Sequence, residues 1–477
     1  MILPNLRGTR RGANACVRMK YLLLTLRNVF VLAVLLICSM TASAQYFCHN
    51  GIYYQVTDFV WDNGSYVYTV EVTSSDGSSY SGEITIPETG TATVEGKYED
   101  YDIDFKVTSI GVEAFRDCNQ LTKVVLPNSI TSIGRNAFYN CTALTNITLP
   151  ASLVSIGSSA FAYCTSFTSI VIPNSVRTID WNAFYCCTGL NDVTISNAVT
   201  QLNGTFFGCT GLNAVTIPQS VTKLDGTFTG CTGLTAITVP ASVNYIGART
   251  FDGCMALTTV VLPSTLTYIG EQAFFNCENL LSVTCLATTP PSMYTYTSEG
   301  FDYSTYMDGM LYVPGASIQQ YQSTDWWNLF QNIQGLMSLS DTSVILEEGR
   351  TLRLVTTFAP GFIPSSPVSW RSSNTNIVTV TTDGLVKAIT EGEAFVYASV
   401  DNEEVSCEVI VIAATHTPGD IDGDGEVSIA DVTALIDIIL MGTGDPSLHD
   451  VDGDGVVSIS DVTALIDYLM TGNYNTK

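Results

Sequence analysis

The residues with explicit metal chemistry stand near the C-terminus and are written twice, thirty residues apart. The first copy reads Asp420-Ile-Asp422-Gly-Asp424-Gly425-Glu426-Val-Ser428-Ile-Ala-Asp431, and the second Asp450-Val-Asp452-Gly-Asp454-Gly455-Val456-Val-Ser458-Ile-Ser-Asp461. Carboxylates fall at positions 1, 3, 5 and 12 of a twelve-residue loop, with glycine at the sharp turn of position 6. Calcium is a hard cation that takes six to eight oxygens, and this loop length supplies them from positions 1, 3, 5, 7, 9 and 12. Glu426 or Val456 contributes a backbone carbonyl at position 7, and Ser428 or Ser458 acts at position 9, directly or through a water. Two calcium ions are therefore expected, one per loop. A merely solvated acidic tail would not repeat this register residue for residue.

Each loop runs into an apolar-periodic stretch, Asp431–Leu440 and Asp461–Met470, that predicts a helix. No comparable constellation exists elsewhere. His49, His416 and His449 are scattered and share no metal-ligand spacing, and neither a nucleophile elbow nor a phosphate loop occurs. No catalytic residue is assigned, and the chain is expected not to be an enzyme.

What must position these loops is a 477-residue chain of formal net charge −26, long enough for several domains. Residues 1–44 hold six basic and no acidic residues, an apolar run from Val29 to Ile37, and Ala42-Ser43-Ala44 before Gln45. That pattern predicts a secretory signal peptide cleaved after Ala44, with Met19 an alternative start. The run is too short to span a bilayer, so no membrane insertion is expected after cleavage. Thirteen basic and 45 acidic residues then remain, which disfavours nucleic acid and anionic membranes as partners.

Between Val107 and Leu286 a phenylalanine stands three residues before a cysteine eight times, from Phe115/Cys118 to Phe274/Cys277, at steps of 22 or 23 residues. A fixed short period is the signature of a solenoid. Alternating apolar pairs six and eight residues past each cysteine, such as Ile147/Leu149 and Val260/Leu262, predict a short strand, usually ended by proline. A second extended piece follows, and Ala-Phe-x-x-Cys reads as one tight helical turn. The residues seven past each cysteine, from Val125 to Thr284, are expected to face outward. The cysteines read as a buried column of small apolar side chains in poor geometry for disulfides; Cys48, Cys407 and the Cys186/Cys187 pair are left as possible exceptions.

These units resemble BspA-like leucine-rich repeats. Residues 45–106, with strand-like runs at Ile52–Val56, Tyr66–Val72 and Glu83–Ile86 and turns at Asp62–Gly64 and Asp76–Gly77, are expected to cap one end. Residues 289–336, with Tyr321, Trp326, Trp327 and Phe330, are expected to cap the other. From 337 to 414, short turn-bounded strands around Trp370-Arg-Ser-Ser-Asn374 and Val378-Thr-Val380 predict a small sandwich that resembles the group 2 bacterial Ig-like domain, read as a spacer. Residues 415–477, a loop followed by an exiting helix in duplicate with Asp at position 12, resemble the type I dockerin. That resemblance implies docking onto a cohesin-like protein through residues around the last ligand. Here these are Ile429-Ala430 and Ile459-Ser460, with Ile436-Asp437 and Ile466-Asp467 where the family commonly has Lys-Arg.

The expected fold class is mainly β: a leucine-rich-repeat solenoid with β caps, an Ig-like sandwich, and a small α calcium-binding domain. The expected function is that of a secreted or cell-surface adhesion protein, the repeats holding a host protein or glycan and the dockerin docking a protein. The alternative is a component of a polysaccharide-degrading complex, linked to polysaccharide catabolism.

Overall fold

The computed structural model describes residues 46–62, 65–74, 79–94, 100–293, 300–413, 419–423 and 425–472. The expected signal peptide, both expected cap turns and Asp424 fall wholly or partly outside the described residues. The chain divides into two compact units, Met1–Val199 and Thr200–Lys477.

Among the described residues of the first unit, six strands lead into the repeats: β1 (Tyr46–His49), β2 (Ile52–Asp62), β3 (Ser65–Thr73), β4 (Ser81–Thr85), β5 (Thr89–Val94) and β6 (Tyr101–Ile110). β1, β2 and β3 form an antiparallel meander, and β3 pairs in parallel with β6. The end of β6 is already the first rung of a parallel ladder that continues through Ser132–Ile133, Ser155–Ile156 and Thr178–Ile179. β4 pairs with Gln120–Val125 and so starts the other ladder. The cap therefore seeds both ladders of the solenoid. Tyr80 lies 4.9 Å from the Phe115 ring and closes a stack of Phe115, Phe138, Phe161 and Phe184 at spacings of 5.0, 5.1 and 5.3 Å.

The expected helical turn at Ala-Phe-x-x-Cys is not one. Residues two before and two after each phenylalanine sit in the left-handed region, for example Glu113 at φ 59° and Asp117 at φ 59°, then Asn136 at 56° and Asn140 at 59°. Tight turns such as Cys118 N–H to Phe115 O thus alternate with bonds to the next coil, such as Phe115 N–H to Ala137 O at 2.7 Å and Asp117 N–H to Tyr139 O at 2.8 Å. A single helical turn satisfies few of its own groups. This arrangement gives every second amide a partner in the neighbouring coil.

The second unit has its own stack of Phe206, Phe228, Phe251 and Phe274, which then gains Phe301, 4.8 Å from Phe274 with ring planes 5° apart. The 22-residue steps arise here: Leu202 and Leu224 precede their phenylalanines by four residues, where Ile110 precedes Phe115 by five. Phe301 marks a ninth, irregular rung, with Ser292–Met293 and Met310–Val313 extending the two ladders. Helices α1 (Tyr303–Asp308) and α2 (Ile318–Ser323) close the end. Trp327 is fully buried there, its indole N–H donating to Pro291 O at 2.8 Å, while Trp326 is half-buried. Trp327 thus fills the end of this stack, against Phe301 and Tyr321.

The sandwich that follows has a four-stranded sheet of Ser343–Glu347, Glu403–Ile412, Gly392–Val400 and Ser369–Ser372 opposite Thr351–Arg353, Leu385–Ala388 and Val378–Val380. Val378, Val386, Val396, Cys407 and Val409 fill the space between. It is seated on the repeats and is not a free spacer. Thr284 Oγ1 donates to Pro360 O at 2.7 Å, Gly361 lies against Val261, and Gly315 N–H donates to Glu403 Oε2 at 2.8 Å. Val261 and Thr284, expected to face solvent, are therefore buried, whereas Thr216 and Thr238 of the preceding rungs are exposed.

None of the twelve described cysteines is in a disulfide. In the column the thiols of Cys141, Cys164, Cys187, Cys231, Cys254 and Cys277 donate to the phenylalanine carbonyl of the preceding coil, for example Cys141 Sγ to Phe115 O at 3.0 Å, Cys164 to Phe138 at 3.1 Å and Cys254 to Phe228 at 3.2 Å; Cys118, the first, turns to Arg116 O instead.

Candidate calcium-binding module

Two helices of thirteen residues organise the C-terminal module: α3 (Ile429–Met441) and, after the short α4 (Pro446–His449), α5 (Ile459–Thr471). Both begin two residues before the expected start. The reason is a capping box: Ser428 Oγ accepts from Ala430 N–H, Ser458 Oγ accepts from Ser460 N–H, and Asp431 and Asp461 bond back to the cap amides. Gly442 and Gly472 end the helices in the left-handed conformation, at φ 63° and 72°. Leu435, Val462 and Leu465 form the shared core, with Ile421, Val427, Val451 and Val457 of the loops packed on it. The apolar face of the duplicated sequence thus clamps both loops to one core.

In the first loop, one carboxylate oxygen from each of Asp420, Asp422 and Asp431 lies within 4.8 Å of the others. In the second loop the same holds for Asp450, Asp452 and Asp454. Asp461 is the exact counterpart of Asp431 in its bonding: Oδ1 accepts from Val451 and Asp452 N–H at 2.7 and 3.1 Å, and Oδ2 from Ser458 N–H at 2.7 Å. Asp431 takes Ile421, Asp422 and Ser428 N–H in the same way. Burial pushes the Asp431 carboxyl up, but the N–H groups of Asp422, Ser428 and Ile421 outweigh it and hold it below the usual carboxylate range. Position 1 is likewise pre-set: Asp420 Oδ1 and Oδ2 accept from Gly423 and Gly425 N–H, and Asp450 from Gly453 and Gly455.

The donor set fits a hard cation. Burial pushes the Asp450 carboxyl up, and the neighbouring Asp461 carboxylate adds to this against the opposing amides of Gly455 and Gly453. Carboxylates held that close repel one another, and a divalent cation neutralises them. Asp420, Asp422 and Asp431 in the first loop, and Asp450, Asp452 and Asp454 in the second, are the side chains that could hold a divalent cation. Glu426 is exposed, and the Val456 side chain is 60% exposed, which leaves its backbone carbonyl as its only ligand atom. Ser428 and Ser458 are helix caps first, a role the spacing did not reveal.

The helices also leave apolar groups in solvent. Ile429 is 77% exposed and Leu440 79%; Ile459 is 73% and Met470 80%.

Residues 95–208 and 203–308 match the BspA type leucine rich repeat region, residues 336–409 the group 2 bacterial Ig-like domain, and residues 418–470 the dockerin type I domain. No curated protein matches. Among solved structures, a leucine rich cell surface protein from Faecalibacterium prausnitzii A2-165 is 24% identical over 61% of this chain and 94% of its own, with a TM-score of 0.39. A leucine-rich repeat protein from Bacteroides ovatus ATCC 8483 is 20% identical over 61% of this chain and 99% of its own, with a TM-score of 0.28. Another from Bacteroides capillosus ATCC 29799 is 29% identical over 31% of this chain and 97% of its own, with a TM-score of 0.24.

Proposed function

We propose that this chain, which carries BspA type leucine-rich repeats, a group 2 bacterial Ig-like domain and a type I dockerin domain in that order, is an exported adhesion protein whose dockerin docks a protein partner when calcium is bound. The modules are of non-catalytic types and support a surface and protein-interaction role. Among the described residues no helix is long and apolar enough to cross a membrane. The observation that carries the reading is the clustering of acidic side chains in both loops, at the registers the duplicated sequence sets. Two calcium ions, one held by Asp420, Asp422, Asp424, Asp431 and Ser428 with the Glu426 carbonyl and one by Asp450, Asp452, Asp454, Asp461 and Ser458 with the Val456 carbonyl, fix the helices that present the docking surface. The repeat array presents the ligand face, for a host protein or glycan, on rungs the sandwich leaves open, such as Thr216 and Thr238.

The test is capture from an envelope extract with the full chain as bait, in calcium and in chelator, beside an Asp420→Asn/Asp450→Asn variant. A cohesin-like protein retained by the wild type in calcium alone supports the reading; identical captures in all three arms contradict it. The second reading, a non-catalytic part of a polysaccharide-degrading assembly, is favoured by the dockerin itself. Retention of the protein on plant-fibre polysaccharide without release of reducing ends would support it over host adhesion.

A further inference from the structure

The two acidic loops share a sequence pattern but not their surroundings. A Cβ built on the turn glycine of the first, Gly425, would meet nothing within 4 Å. In the second loop one on Gly455 would meet Leu385 Cδ2 at 3.9 Å, and one on Gly453 would stand 3.3 Å from Lys387 Nζ. The ammonium group of Lys387, a sandwich residue, therefore rests on the tip of the second loop. Lys387 lies on the strand Leu385–Ala388, which pairs with Thr351–Arg353, and Ala388 N–H donates to Arg350 O at 2.9 Å. The same sheet edge thus brings up a second cation. The Arg350 side chain is only 19% exposed. Burial pushes its guanidinium down, and the carboxylates of Glu347, Asp445 and Asp450 act against that. Asp450 is position 1 of the second loop, and α4, which leads into that loop, lies against Thr351–Arg353. The second loop also carries one carboxylate fewer, with Val456 where the first has Glu426.

We infer that the second loop is the weaker of the two calcium sites, because Arg350 and Lys387 of the sandwich neutralise the carboxylates a divalent cation would take, and that filling it releases the module from the sandwich. The inference rests on the calcium binding proposed above and deepens it by making the two sites unequal. Charges closer than about 8 Å act on one another with little screening at physiological salt. Affinity in such loops follows the charge count of the ligands. Two cations beside one loop lower its affinity and leave the other loop alone. Coupling between binding events is reciprocal: the factor by which the seated cations weaken calcium is the factor by which calcium weakens the seat. At low calcium the module is held on the sandwich, and at higher calcium it is freed.

The test uses the full chain. Calorimetric titration is expected to resolve a tight and a weak calcium site, the tight one lost in Asp420→Asn and the weak one in Asp450→Asn. Arg350→Gln with Lys387→Gln should tighten the site that remains in Asp420→Asn at least fivefold, and change the one that remains in Asp450→Asn less than twofold. Release is read on the wild type, which needs no substitution, by amine acetylation and mass spectrometry. Lys387 should label at least threefold faster once the weak site fills, while the exposed Lys123 keeps its rate. In Asp450→Asn the rise at Lys387 should be absent. Equal affinities untouched by the glutamine pair, or Lys387 labelling that calcium leaves unchanged or slows, would overturn this inference alone. No calcium bound at either loop would sink the calcium reading with it.

Discussion

At the scale of single residues, the cysteine column combines two roles that the spacing alone shows only as burial. Thiols such as those of Cys141, Cys164 and Cys254 fill a small space and donate to a carbonyl of the coil before, which a disulfide would forbid. Burial pushes the Cys164 and Cys277 thiols up to about 12, and moves Cys231 and Cys254 well above their ordinary value. An unfolded thiol ionises near 8.5. The folded state therefore keeps protons that the unfolded chain gives up. The contribution is full below about pH 8.5 and is lost as pH rises toward the folded value, by up to about 1.4 kcal/mol per pH unit for each thiol. Urea unfolding at pH 8, 9 and 10 should show a steep fall in stability, less steep for Cys164→Ala; a flat profile contradicts it. Asp461 is the other residue on which much converges. Asp461→Ala leaves three backbone N–H groups without their acceptor, at a cost of about 1–3 kcal/mol for each one that stays buried. Thermal melts should show the loss even in chelator.

At the scale of elements, the coil owes its shape to two left-handed residues flanking each phenylalanine. The residues there include Glu113, Asp117, Asn140, Tyr163, Cys186 and Gly230, which share a backbone conformation and no side-chain chemistry. That is why the sequence shows the phenylalanine and cysteine but suggests a helical turn between them. Gly230 sits at φ 70°, and a Cβ there would meet Gly208 only at an ordinary 3.7 Å. Gly230→Val is thus a test of conformation without a clash. It should cost at least about 1–2 kcal/mol, read as a lower melting temperature, whereas a silent Gly230→Val would mean the coil can relax. The stack itself is sturdier: Phe251→Ala, between neighbours at 5.6 and 5.0 Å, should cost about 3–5 kcal/mol. The ninth rung escaped notice because Ser304 stands where Phe301 would have its cysteine. In the C-terminal module the clustering of acidic side chains, the helices and their shared core were legible, since acidic positions and apolar faces are sequence-local. The helix starts were the exception, because Ser428 and Ser458 serve as caps as well as loop positions.

At the scale of the whole molecule, the second unit joins repeats, sandwich and module, and the contacts that do this carry no motif. Pro360 and Gly361 reach Thr284 and Val261 across 76 or more residues of sequence, and Glu403 reaches Gly315 across 88. No periodicity announces such contacts. Glu403 is buried, and its carboxylate is the acceptor for Gly315 N–H. Glu403→Ala should loosen the sandwich from the cap, with faster hydrogen exchange at 315–317 and around 284. Unchanged exchange there would show that the seat depends on other contacts. The sandwich covers Val261 and Thr284, so tests of the proposed adhesion belong on the exposed Thr216 and Thr238 of the same unit. Calcium in both loops is what the proposed docking depends on, and calorimetric titration of calcium into the chelator-stripped full chain measures it. Two ions per chain are predicted, one for Asp420→Asn, one for Asp450→Asn and none for the double variant. No saturable binding at millimolar calcium, or two ions still bound by the double variant, would contradict the account.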